Sequence, residues 1–226
     1  MRLGTRLKEP LLIPTYHRFS DIPVPPTMEH LSRTPRGMPI PWVLCRAPGT
    51  PYQVVDVSGP NGKLDQVLHC ACTPGGRAPT EVTPCLSRLR EAVTRRLCAA
   101  CGTLLSAQTA PVIERPAPSR RLTELGYHRQ CLAYKLHCAN TVGQALPEHL
   151  IFLHAYNITE LRLPRRARPS TTPVVVPTGS PGGPAAGYLL HYCLTPVRQS
   201  VVDTLTWLAQ PYDLHAPTPQ SLDAAP

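Results

Sequence analysis

Cys98-Ala99-Ala100-Cys101-Gly102 and, after 26 residues that follow Cys101, His128-Arg129-Gln130-Cys131 are the two stretches on which the reading of this chain turns. Together they spell C-x2-C-x26-H-x2-C. A Cys-x2-Cys-Gly turn aims two thiolates at one point, and glycine accepts the backbone angles such a turn needs. A His and a Cys three apart at the start of a helix share one face. Four such ligands complete a closed tetrahedral Cys3His site of the structural zinc type. The expected fold is α+β: a small zinc-stabilised, treble-clef-like module, with the 26-residue gap holding a hairpin to which Pro111–Glu114 contributes a strand.

The rival reading of Cys98 and Cys101 is a redox pair of the thioredoxin type. No βαβ pattern surrounds them, and the matching His-x2-Cys would then have no purpose. Cys138, seven residues along the same helix, is an alternative fourth ligand, or else a buried core thiol. A second and weaker site is Cys70, Cys72 and Cys85, spaced C-x-C-x12-C, with His69 or Cys45 nearby. Cys-x-Cys is an awkward clamp on a strand, because alternate residues share a face but stand apart.

Outward from these motifs, Leu86, Leu89, Val93 and Leu97 recur at helical spacing, with Pro84 placed where a helix start tolerates it. A second helix is expected from about Tyr127 through Cys138. Strands are expected over residues 52–58 and 64–69, separated by Gly59-Pro60-Asn61-Gly62. Pro147 opens a short helix or strand through Ile158, and Tyr188–Leu208 reads as a small helical element. Four regions follow: a Pro-rich arm over residues 1–38, the zinc-stabilised module over 39–162, a flexible Arg/Pro/Gly linker over 163–187, and a short C-terminal element with its tail over 188–226. The Pro-rich flanks are expected to be partly disordered.

Composition agrees with a fold that needs a metal. Leu, Val, Ile and Phe make 53 of 226 residues, and Pro with Gly another 43, so a large enzyme built on one continuous core is excluded as the default. The nine Cys and nine His stand out against that background. The basic N-terminus is followed by only Leu11-Leu12-Ile13 before Pro14, too short for a secretory core. No run reaches the ~18 apolar residues of a membrane span. A cytoplasmic protein with reduced thiols and no membrane partner is expected, where clustered Cys mean metal.

Formal charge is +9, carried by 20 Arg and only 3 Lys. Arginine suits phosphate recognition through its planar fork, and GC-rich coding gives the same excess. Arg115, Arg120, Arg121 and Arg129, around the gap and the second helix, are the candidate nucleic-acid contacts. Arg88, Arg90, Arg95, Arg96, Arg162, Arg165, Arg166 and Arg168 are further cations. No G-x-S-x-G, G-x4-G-K-[ST], G-x-G-x2-G or H-E-x2-H occurs, and no small-molecule substrate is indicated. The enzymatic rival is an HNH-like nuclease, which needs a His beside an acid within residues 102–131. Glu29-His30 and Glu148-His149 lie outside that interval. The expectation is thus a non-catalytic zinc module that binds nucleic acid, with a protein–protein adaptor as the alternative.

Pro39-Ile40-Pro41-Trp42, Arg96-Leu97-Cys98-Ala99-Ala100-Cys101-Gly102, His128-Arg129-Gln130-Cys131-Leu132-Ala133-Tyr134 and Cys138 together carry a resemblance. The set resembles small uncharacterised proteins of high-GC bacteria and their phages. These share a Pro-x-Pro-Trp lead-in, a helix ending in C-x2-C-G, and an H-x2-C-A-x-Y helix with a further Cys. The resemblance spans about residues 37–140. It departs at Leu132, where the family has Ala, and in lacking a Pro directly after Cys138. It implies the zinc site and no activity.

Overall fold

His149–Leu163 is rich in aromatic and β-branched residues, and in the computed structural model it forms one long strand, β4. The structure describes residues 13–45, 53–58, 64–70, 72, 84–105, 110–113, 125–163, 174–177 and 187–209. Within these, β1 (Gln53–Ser58) and β2 (Leu64–His69) pair antiparallel as the sequence predicts. Three further strands are β3 (Ala110–Ile113), β5 (Val174–Pro177) and β6 (Tyr188–Asp203). The sheet runs β1-β2-β6-β4-β3, with β5 also paired to β4. Because β3 meets Leu150–Leu153 and β5 meets Thr159–Arg162, the two follow one another along the same side of β4.

The sheet's spine is the antiparallel β4–β6 ribbon, in register from His149↔Asp203 to Leu163↔Tyr188 with bulges near Ala155 and Arg162. This corrects the expectation of a small helical element over Tyr188–Leu208. Only Thr204–Leu208 is helical (α3), started by Asp203, whose Oδ1 accepts the Thr206 N–H at 2.7 Å. Tyr-Leu-Leu-His-Tyr-Cys-Leu-Thr has strand composition, and Pro196 obscured it. Pro196 is tolerated because β6 pairs with β2 only at Val67↔Leu189, so its far side carries no ladder there. Residues 163–187 connect two paired strands and contribute β5, rather than separating an outlying element.

Helix α1 (Leu86–Thr94) packs on β6 and β2, and α2 (Arg129–Thr141) against β3. Helix α2 starts two residues later than predicted, with His128 as its N-cap. It buries Cys131, Leu132, Ala133, Tyr134, Leu136 and His137, more than one face, because the core closes around it.

The Pro-rich N-terminal segment, expected to be partly disordered, is packed over its described part. From Ile13 it lies on the core, with two single 3-10 turns at Phe19–Asp21 and Pro26–Met28. Ile22, Met28 and Leu31 are buried with the knuckle and α2 residues. Extended Pro-rich chain has no ladder to satisfy, so it can lay its apolar side chains on a neighbour without regular structure. No helix of the described residues is long and apolar enough to cross a membrane.

Candidate metal centre

Leu97 and Leu104 form an isolated antiparallel bridge, and between them the chain turns sharply through Cys98–Gly102. Gly102 sits at φ +76°, its N–H donating to the Cys98 carbonyl at 2.8 Å, while the Cys98 N–H donates to the Thr103 carbonyl at 2.8 Å. Backbone from outside holds this knuckle. Trp42 and Val43 donate to the carbonyls of Ala100 and Ala99 at 2.7 and 3.1 Å, and the Ala99 N–H reaches the Gly126 carbonyl at 3.1 Å. That last bond fixes the knuckle against the residues leading into α2.

The consequence is that Cys98, Cys101, His128 and Cys131 converge, their ligand atoms all within 4.8 Å of one another. Tetrahedral zinc with Zn–S near 2.3 Å requires sulfurs about 3.8 Å apart, so the group is positioned to hold a metal ion. The three thiols are 0% exposed. His128 Nδ1 faces the sulfurs, 3.3 Å from Cys101 Sγ, and Nε2 lies 3.0 Å from the Leu104 carbonyl. An imidazole whose far N–H is held by a carbonyl is the usual arrangement of a metal-ligating His.

Surrounding donors complete the cage. The His128 N–H donates to Cys98 Sγ at 3.4 Å, Thr103 Oγ1 lies 3.0 Å from Cys101 Sγ, and Thr27 Oγ1 lies 3.3 Å from Cys131 Sγ. Proximity skews the acidities. Hydrogen bonds from Cys131 and Cys98 drive the Cys101 thiol far down, and the same contact with Cys101 pushes Cys131 far up. Burial disfavours the His128 imidazolium, yet the Cys101 and Cys98 sulfurs outweigh it and raise its pKa to about 10. The close sulfurs thus hold protons at Cys131 and His128 that a divalent cation would have to displace on binding.

Cys138 stands apart from this group. Seven residues of helix separate it from Cys131, a rise of about 10.5 Å, too far for one ion. Its sulfur interacts with the Tyr134 hydroxyl, and burial raises its pKa.

The other candidate thiols do gather. Cys45 Sγ lies 3.4 Å from Cys70 Sγ, and Cys72 Sγ lies 3.5 Å from Cys85 Sγ. Cys45, Cys70 and Cys72 have their sulfurs within 4.8 Å of one another, and Cys85, outside that set, packs in the same buried cluster through Cys72. Cys70 and Cys72 both lie beyond the end of β2, outside the strand geometry that made Cys-x-Cys an awkward clamp. His69, the other neighbour considered, is turned to Ser87, its Nδ1 3.2 Å from Ser87 Oγ.

The arginines divide. Arg115, Arg120 and Arg121 lie outside the described residues, as do Arg165, Arg166 and Arg168. Arg129 begins α2 with its guanidinium 5.5 Å from the centre of the Trp207 ring. Arg88 donates to the Trp42 and Leu44 carbonyls at 2.6 and 3.1 Å, and Arg90 to those of Leu68 and Leu190, both at 2.7 Å. Arg162 is 1% exposed and bonded to Asp65, Glu160 and the Gly187 carbonyl. Arg88, Arg90 and Arg162 therefore make their hydrogen bonds inside the fold.

Sequence reasoning missed Thr27, which had no motif to mark it, and the part played by Trp42 in seating the knuckle. Comparison with known proteins finds no matching family model, no similar curated protein and no similar solved structure.

Proposed function

We propose that this chain is a non-catalytic binding module whose fold depends on a structural zinc held by Cys98, Cys101, His128 and Cys131. The observation that carries this is closure. Three fully buried thiols and an imidazole engaged at its far nitrogen leave no coordination position for water, and a catalytic zinc keeps one. When bound, zinc supplies a cross-link between the knuckle and the first turn of α2. Knuckle and ligand-bearing helix match two parts of a treble clef. The strand between them, β3, pairs with β4 instead of with a partner inside residues 102–127 among the described residues. The proposed kinship with small proteins of high-GC bacteria and their phages draws support from Trp42 meeting Gly102, which joins two separate parts of the shared pattern.

Nucleic acid is the partner favoured by the +9 charge, with Arg95 and Arg96 exposed beside the knuckle and Arg129 exposed at the start of α2. A protein partner is the second reading, favoured by Arg88, Arg90 and Arg162 being bonded internally. A salt series decides. Nucleic-acid affinity should fall steeply between low and moderate salt, with a shallower slope in Arg96→Ala and Arg129→Ala. A partner captured with salt-insensitive affinity and no nucleic-acid binding would favour the adaptor. Mg2+-dependent nuclease activity would overturn both, and a chain that binds no zinc at Cys131 would remove their foundation.

A further inference from the structure

We infer that Cys45, Cys70, Cys72 and Cys85 form a second, all-thiolate site for a soft tetrahedral cation, zinc, independent of the Cys3His centre. The sulfurs come from three segments brought together by backbone geometry. Leu44 bridges Pro84, and the Cys85 N–H donates to the Val43 carbonyl at 2.8 Å, so the 43–45 segment lies beside the start of α1. The Cys70 N–H donates to Ser87 Oγ at 2.9 Å, which fastens the end of β2 to the first turn of the same helix. The result is two close sulfur pairs, Cys45–Cys70 at 3.4 Å and Cys72–Cys85 at 3.5 Å. Cys45, Cys70 and Cys85 are buried and Cys72 is half-buried, so three walls are closed and one ligand sits at the opening.

A second observation points to an anionic complex. Four thiolates around Zn2+ carry a net charge of −2, and burying it requires nearby positive charge. Arg88 is fixed to the carbonyl of Leu44, next to Cys45, and Arg90 to that of Leu68, two residues before Cys70. Cys85 is the N-cap of α1, where the positive end of the helix dipole favours a thiolate. The donor set fits a soft ion: four sulfurs, no carboxylate, and tetrahedral S4 coordination is typical of zinc. The site would staple the end of β2 to the start of α1, beside the Cys70–Ser87 hydrogen bond.

The test is native mass spectrometry of the full chain produced with zinc, followed by the same measurement on Cys70→Ser and Cys131→Ser. Two zinc ions per wild-type chain are expected, with Cys70→Ser and Cys131→Ser each retaining one. Should either variant misfold, thiol alkylation of the wild type gives the same answer: Cys45, Cys70, Cys72 and Cys85 should be protected until a chelator is added. One zinc that survives Cys70→Ser and is lost in Cys131→Ser overturns the second site and leaves the first. One zinc with the opposite pattern keeps the second site and sinks the first. A wild type lighter by the hydrogens of Cys45–Cys70 and Cys72–Cys85 disulfides, without a second metal, overturns the inference in favour of covalent pairing.

Discussion

The Trp42 indole lies against Gly102 so closely that a Cβ on the glycine would stand 2.5 Å from Cγ and 2.6 Å from Cδ1 of the ring. The contact explains why the knuckle ends in glycine twice over, once for the left-handed φ and once for space. Gly102→Ala should cost about 1–2 kcal/mol for the backbone and a further 1–3 kcal/mol for the clash. Trp42→Ala placed on that background should recover the clash part alone. Denaturant unfolding of the two single variants and the double variant checks this, and strict additivity would contradict the close approach.

Thr27 ties the Pro-rich segment to the Cys3His cluster through its 3.3 Å contact with Cys131 Sγ. A hydroxyl donating to a ligand thiolate steadies its charge, and losing such outer partners typically weakens metal affinity about 10- to 100-fold. Thr27→Val keeps the shape and removes the donor. It should bind zinc about 10-fold more weakly in a chelator competition, while Thr27→Ser stays near wild type. Equal affinities for Val and Ser would show that the hydroxyl does not reach the site.

The Cys/His cluster was legible because its geometry is local: Cys98-x2-Cys101-Gly102 and His128-x2-Cys131 are each set within one turn. Helices α1 and α2 were legible from periodicity for the same reason. The β4–β6 ribbon was not, since its pairing joins residues such as His149 and Asp203 across a long connection, and Pro196 reads as a strand breaker unless its open side is known. Nor was the fate of the N-terminal segment, because Ile22 and Met28 have no period and are buried only by what they meet. Cys45 joined Cys70, Cys72 and Cys85 through a backbone bridge between Leu44 and Pro84 that no spacing rule encodes.

Arg162 on β4 reaches over β6 to Asp65 on β2, binding both carboxylate oxygens, and takes Glu160 on its own strand through Nε at 2.7 Å. Its charge is nearly sealed from water, at 2% side-chain exposure, so the partners matter more than the pair's net attraction. Asp65→Ala should destabilise by about 3–5 kcal/mol by leaving a buried cation short of its partner. Replacing both, Asp65→Leu with Arg162→Met, should cost less than Asp65→Ala alone. A double variant weaker than the single one would show that the charges themselves hold β2 to the ribbon.

His137 gives the fold a pH dependence of known sign. The side chain is 3% exposed on α2, Nδ1 has no hydrogen-bond partner among the described residues, and the Tyr16 ring packs edge-on at 5.1 Å. Burial therefore holds its pKa below the ordinary 6.5. Between that value and the lower folded one, the unfolded chain takes up a proton that the folded chain refuses, so stability falls as pH drops below about 6.5 and is fully present above it. His137→Phe keeps an aromatic against Tyr16 and cannot protonate. The stability gap between wild type and His137→Phe should shift in favour of the variant from pH 7.5 to pH 5.5, in unfolding curves taken at fixed zinc. Metal ligands protonate in both chains and cancel from the difference. A gap constant with pH would mean that His137 finds a proton acceptor in the folded protein.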